Sequence, residues 1–269
     1  MTKLFDPATL PDAVRTGLQN GEFSAHYQPK FDPDSEEVVG LEALLRWHHP
    51  DAGFQEAGAF MAEIERSPEL ISAVDAWVLN ATMTQGRKWI DDDLPFGVLN
   101  VNVSTWDTGA QLAEQVQTAL KDTGFPAKQL ALECPWRMLA ANAESIAPAM
   151  RELRRLGCII VLDGNPLDDT CLEQVRQTPV QMSKVCIKHI QEVHESDGPR
   201  ALSSQIKSWR RRGVEIVSMG VEHEDQVALS HKAGCRFSQG NRFKSALPAK
   251  EISFLLNIIK QTKQALSLI

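Results

Sequence analysis

The sequence predicts an α/β protein, a TIM-like (β/α)8 barrel whose first strand runs antiparallel to its neighbours. Three observations carry this. Short apolar runs alternate with helix-like segments along most of the 269 residues. Two extended runs near the start, Phe23–Phe31 and Val38–Trp47, are joined only by the turn-forming Asp32-Pro33-Asp34-Ser35. So short a connection implies an antiparallel hairpin, because a parallel pair needs a long crossover. Finally, Leu153–Gly157 leads into Cys158–Asp163 much as Trp209–Gly213 leads into Val214–Met219. A basic last turn, a glycine cap and a buried strand form the helix-to-strand join of a parallel sheet.

Taken in order, residues 7–20 read as an amphipathic helix packing across one end of the barrel. After the hairpin, strands are expected at 97–103, 129–134, 158–163, 182–187, 214–219 and 235–238. Helices are expected at 70–89, 108–123, 143–156, 170–177, 200–212 and 223–233, with a closing helix at 249–266. No linker-like stretch divides the chain, so residues 1–20 are taken as an N-terminal helical extension and 21–269 as a single barrel domain. Trp77, Trp89 and Trp209 fall on helical faces and are expected between helices and barrel. Tyr27, the only tyrosine, either lines a groove or fills the interior.

Composition narrows the class. The chain is 43% hydrophobic and 23% charged, with net charge −7 and a pI near 5.5. Those values argue against a general binder of DNA or anionic membranes. The basic run Arg210-Arg211-Arg212 precedes Gly213 at a helix end, where cations complement the helix dipole. There is no run of 18 apolar residues and no secretory leader pattern, and the five cysteines show no paired spacing. The expectation is a cytoplasmic protein with no membrane segment.

Polar side chains stand at or just past the ends of the apolar runs: Glu42, Asn102, Glu133, Asp163, Lys184, Glu222 and Gln239. In a strand–helix barrel the carboxyl ends of the strands converge on one face. Carboxylates, an amide and a lysine gathered there make an oxygen-rich site suited to a hard divalent cation.

The motif Gly40-Leu41-Glu42-Ala43-Leu44-Leu45-Arg46-Trp47 follows Tyr27-Gln28-Pro29 and precedes His49-Pro50. Asn100–Ser104, Leu130–Glu133, Leu162-Asp163, Lys184, Gly220-Val221-Glu222 and Gln239-Gly240 then follow in order. The chain thereby resembles the EAL domain family of bacterial cyclic-di-GMP phosphodiesterases, across residues 21–248. The resemblance implies that Glu42, Asn102, Glu133 and Asp163 hold a first Mg2+ or Mn2+ ion. It implies that Lys184 positions the attacking water and offsets phosphate charge, and that Gln28, Arg46, Glu222 and Gln239 contact cyclic-di-GMP.

Three departures stand against catalysis. Where the family has Asp-Asp-Phe-Gly this chain has Asp163-Gly164-Asn165-Pro166, losing the acid for a second metal. Where the family has Glu-Gly-Val-Glu it has Met219-Gly220-Val221-Glu222, a thioether in place of an acid. Trp136 replaces the second acid of the family's Leu-Glu-x-Thr-Glu stretch. Asp168 and Asp169 lie close enough to substitute, but a helix start accounts for them.

The resulting expectation is a degenerate EAL domain that does not hydrolyse cyclic-di-GMP and serves as a nucleotide-binding or regulatory module. Lys184 and Glu222 are catalytic remnants, and at most one Mg2+ or Mn2+ binds weakly. Two alternatives stand beside it. One is a protein-interaction regulator that has lost the nucleotide and acts on a protein partner or as a homodimer, since the altered loop shapes dimerisation in this family. The other is a slow metal-dependent phosphodiesterase.

Overall fold

The computed structural model describes residues 5, 6 and 8–266. In chain order the elements are α1 (Leu10–Asn20), β1 (Phe23–Phe31), β2 (Val38–His49), β3 (Gly53–Glu56), α2 (Met61–Ile64), α3 (Pro68–Asp91), β4 (Val98–Asn102) and α4 (Ala110–Thr123). The series continues with β5 (Leu130–Pro135), α5 (Trp136–Arg155), β6 (Ile159–Asp163), α6 (Asp169–Val175), β7 (Met182–Cys186) and α7 (Ile187–Arg210). It closes with β8 (Glu215–Met219), α8 (Glu224–Ala233), β9 (Phe237–Gln239), β10 (Leu247–Pro248) and α9 (Ala249–Leu266).

Eight strands close into a barrel in the order β1-β9-β8-β7-β6-β5-β4-β2, with β2 pairing back onto β1. β1 is antiparallel to both β2 and β9, and every pairing from β2 through β4 to β9 is parallel. The short strands β3 and β10 add to the barrel outside β2 and β1. The expected barrel and its antiparallel first strand are present.

Alternation along the strands divides inside from outside. On β1, Tyr27 meets Trp89 of α3 edge-on at 4.8 Å, so it belongs to the layer between barrel and helices. Its neighbours Gln28 and Lys30 therefore point inward. Trp89 and Trp209 are fully buried and Trp77 is packed against the same core. Expected instead at one end of the barrel, α1 joins the outer layer: it contacts α3, and Gly17 abuts Phe23 and Trp47 on the outward face of the hairpin. Leu10, Val14 and Gly17 are the buried residues of α1.

Two helices are longer than the sequence pattern indicated. α5 starts at Trp136, directly after β5, and breaks its helical geometry at Asn142. α7 starts at Ile187 and is interrupted at Gly198, whose φ of 84° and ψ of 168° belong to a region essentially reserved for glycine. The segments before these breaks are short and end on interruptions, so a sustained helical period shows only beyond them. Asp168 caps α6 by accepting a 2.7 Å hydrogen bond from the Cys171 amide, as a helix start should. No described helix is long and apolar enough to cross a membrane.

Candidate functional site

Every barrel strand except β8, which ends there on Met219, sends a polar or charged side chain to one mouth of the barrel. The register places them as neighbours: Gln28 beside Glu42, Glu42 beside Asn100, Asn102 beside Glu133, Asp163 beside Lys184, and Met219 beside Gln239. Glu42, Asn102, Glu133, Asp163, Lys184 and Gln239 thus share one end of the barrel, as the sequence led us to expect.

Lys184 is the centre of this group. Its Nζ donates to Glu42 Oε2 at 2.7 Å and Glu133 Oε2 at 2.8 Å, and lies 3.8 Å from Asp163 Oδ1. Asn102 Nδ2 donates to Glu42 Oε1 at 2.8 Å, and Gln239 Nε2 donates to Glu42 Oε2 at 2.6 Å. The same Gln239 amide reaches Gln28 Oε1 at 3.1 Å, and Gln28 Nε2 donates to the Lys244 carbonyl at 3.2 Å. Gln28, Glu42, Asp163, Lys184, Met219, Glu222 and Gln239 line a polar cavity of about 340 Å³. A second cavity of about 440 Å³ shares Leu44 and Asp163 with it and adds Met61, Val78, Asn102, Trp136 and Gly164. The two form a groove with one polar and one more apolar end.

Charge in the group is set by burial acting against pairing. Burial works to raise the Glu42 pKa, but the Lys184 charge and hydrogen bonds from Lys184, Asn102 and Gln239 hold it down at about 2. Glu133, wholly buried, is pushed up to about 7 by desolvation and by the Glu42 charge, with Lys184 opposing. Burial also raises Asp163, helped by Glu42 and opposed by Lys184. Desolvation would discharge Lys184, yet Glu133, Glu42 and Asp163 keep it firmly protonated. Glu42 and Lys184 are therefore the fixed ion pair, and Glu133 is the acid that titrates near neutrality.

Two interior residues escaped the sequence reading. Lys30 is buried and donates to Asn100 Oδ1 at 3.1 Å, while Asn100 Nδ2 donates to Glu133 Oε1 at 2.8 Å. Desolvation lowers the Lys30 pKa to about 8. The inward alternation of β1 and β4, which sets Lys30 with Gln28 and Asn100 with Asn102, was the signal available.

The remaining candidates sit at the rim. Glu222 is exposed, beside Met219 and Gly220 on the polar cavity. Arg46 lines neither cavity: it donates to the Leu45 carbonyl at 3.0 Å and pairs with Glu56 on β3 at 3.4 Å. Gly164 holds φ at 73°, its amide donates to the Lys184 carbonyl at 3.1 Å, and space beyond its Cα is open.

The donor set fits a hard cation in kind. Asp163 Oδ1 is buried without a hydrogen-bond partner, and the Asn102 amide oxygen adds a neutral donor. Glu42, Glu133 and Asp163 gather around the Lys184 ammonium, and among the described residues no group of three His, Cys, Asp or Glu side chains is arranged to hold a metal ion.

The sequence profile of the EAL domain family matches residues 11–246, and the chain belongs to that family. An uncharacterised protein of Mycobacterium tuberculosis is 31% identical over 248 residues, covering 89% of this chain and 80% of that protein. The bifunctional diguanylate cyclase/cyclic di-GMP phosphodiesterase MucR of Pseudomonas aeruginosa is 28% identical over 241 residues. That match covers 89% of this chain but 35% of MucR, and an uncharacterised Sinorhizobium fredii protein is matched over 29% of its length. The phosphodiesterase portion of MucR, solved as a c-di-GMP complex, superposes with a TM-score of 0.82 at 28% identity, covering 91% of this chain and 99% of that one. An EAL domain protein of Listeria monocytogenes shares the fold, with a TM-score of 0.75 at 19% identity over 94% of this chain and 98% of that one.

Proposed function

We propose that this chain is a degenerate EAL domain that binds cyclic-di-GMP without useful hydrolysis and acts as a nucleotide-binding or regulatory module in bacterial cyclic-di-GMP signalling. Family membership and the ligand named in the MucR complex support the nucleotide. The mouth supports the loss of turnover. Its rim carries Gly164 and Met219 where the family pattern calls for acids, and its inner acids are already engaged by Lys184. The loss of those two rim acids is the observation that carries the reading.

On this reading Gln28, Glu222 and Gln239 offer amide and carboxylate contacts along the polar cavity. Arg46 reaches a phosphate by leaving Glu56, a side chain that is 73% exposed and so holds it weakly. Glu42, Asn102, Glu133 and Asp163 would hold one Mg2+ or Mn2+, which would neutralise phosphate charge when bound. The protein's own residues offer little beyond this: Lys184 steadies negative charge, and Met219 has no proton to accept or return.

The test is calorimetry with cyclic-di-GMP, with and without Mg2+, alongside assays for the linear dinucleotide product. Binding with product at the detection limit is the expected result. Turnover by the wild type that vanishes in Glu42→Ala would establish a working site and overturn the proposal. Absence of binding would favour a protein-interaction role instead.

A further inference from the structure

Away from the mouth, the outer helical layer holds another cavity, of about 380 Å³, between α7 and α8. His194, Arg200, Lys207 and Lys232 stand around it, and no Asp or Glu lines it, in a chain whose net charge is −7. Helical spacing explains the convergence. Arg200, Ser203 and Lys207 follow one another at three and four residues along α7, and on α8 Lys232 and Ala233 lie three and four residues after Leu229. The two faces meet across the cavity, since α7 and α8 are in contact.

Arg200, Lys207 and Lys232 are unpaired among the described residues, as are Lys88, Lys121 and Lys250 on other helices, but these three stand around one cavity. Arg15, Arg66, Arg87, Arg155 and Arg176 are each clasped by a carboxylate three or four residues away. Among the described residues, the side chains of His194, Arg200, Lys207 and Lys232 make no ion pair and no hydrogen bond. Like charges gathered without a counter-charge repel one another, and an anion between them removes that cost. The break at Gly198 precedes this face. It starts a new helical segment at Pro199, which sets Arg200, Ser203 and Lys207 on one flank.

The geometry points to a binding site for a small phosphorylated organic molecule of about mononucleotide size. Three cationic side chains and Ser203 suit a phosphate, while Pro199 and Leu229 give the cavity an apolar side on which a ring can rest. Its volume falls within the range of small-molecule sites. None of its lining residues belongs to the mouth, so the site is separate from the groove described above.

The test uses the full chain at low ionic strength, titrated calorimetrically with adenosine monophosphate and separately with inorganic phosphate. Hydrogen exchange under the same conditions locates the contact. The double variant Arg200→Gln/Lys207→Gln and, on the facing helix, Lys232→Gln alter exposed positions only. Expected are binding of the nucleotide more tightly than phosphate, protection within 199–210 and 224–233, and a loss of affinity of about tenfold or more in the double variant. Failure of both probes to bind overturns the site. So does unchanged affinity in both variants, or protection confined to the mouth. Phosphate binding as tightly as the nucleotide overturns the organic part of the ligand.

Discussion

Lys184 and Glu42 meet at 2.7 Å across the barrel interior, tying β7 to β2, strands that are not neighbours in the sheet. The pair is enclosed, with Lys184 only 3% exposed and Glu42 only 7%. Two charges taken out of water are tolerated because each finds further partners: Glu133 for the ammonium, Asn102 and Gln239 for the carboxylate.

Lys184→Met should therefore cost stability as well as ligand binding. It leaves Glu42 and Glu133 buried without their cation, a loss of about 3–5 kcal/mol. Urea unfolding at pH 7.5 measures it. The deficit should shrink when Mg2+ or Mn2+ is added, because the freed carboxylates then become available to a cation.

The two glutamates should give opposite pH dependences. Glu42 has a depressed folded pKa, so its contribution is present above its unfolded value near 4.5 and is lost as pH falls through about 2. Glu133 has a raised one, so its contribution is full below 4.5 and is lost as pH rises through about 7. Denaturant midpoints from pH 2 to 8 should rise and then decline. Glu133→Gln should flatten the decline on the alkaline side while leaving the acid limb in place.

Asp75 on α3 should prove a structural anchor for the groove. Its Oδ2 accepts from the Ser104 amide at 2.9 Å, the Thr105 amide at 3.0 Å and the Thr105 hydroxyl at 2.8 Å, holding the loop that follows Asn102. Asp75→Ala strands three donors and should cost about 2–4 kcal/mol in chemical denaturation. Asp75→Asn keeps a carbonyl oxygen in place and should retain most of that stability.

Gly164→Asp tests the rim. Nothing lies within 4 Å of an added Cβ, so the obstacle is the backbone, at φ 73°. Aspartate tolerates this region better than most residues, at a cost of about 1 kcal/mol. Combined with Met219→Glu, it should raise cyclic-di-GMP turnover above the wild type, and only when Mg2+ or Mn2+ is supplied. Product formation by the double variant is the measurement.

The site residues were legible because strand ends announce themselves: an apolar run stops and a polar side chain follows, as at Leu162-Asp163. Closure, hairpin direction and the outer tryptophans were equally plain. Asn100 and Lys30 were harder to see because they lie inside strand runs, where only their alternation with Asn102 and Gln28 marks them as facing inward. The salt bridge from Arg46 to Glu56 was hidden for another reason, since β3 is only four residues long and carries no pattern of its own. The helical starts at Trp136 and Ile187 were masked by the breaks at Asn142 and Gly198.

The open space around Gly164 has one more consequence. Positions at the rim touch little, so a side chain can vanish there and the scaffold scarcely registers it. Deeper in, Glu42, Glu133 and Lys184 neutralise one another, and the barrel cannot discard any of them singly. A lineage drifting away from hydrolysis would shed its outer acids first and keep the glutamate of its three-letter signature, because by then that residue is fastening strands together.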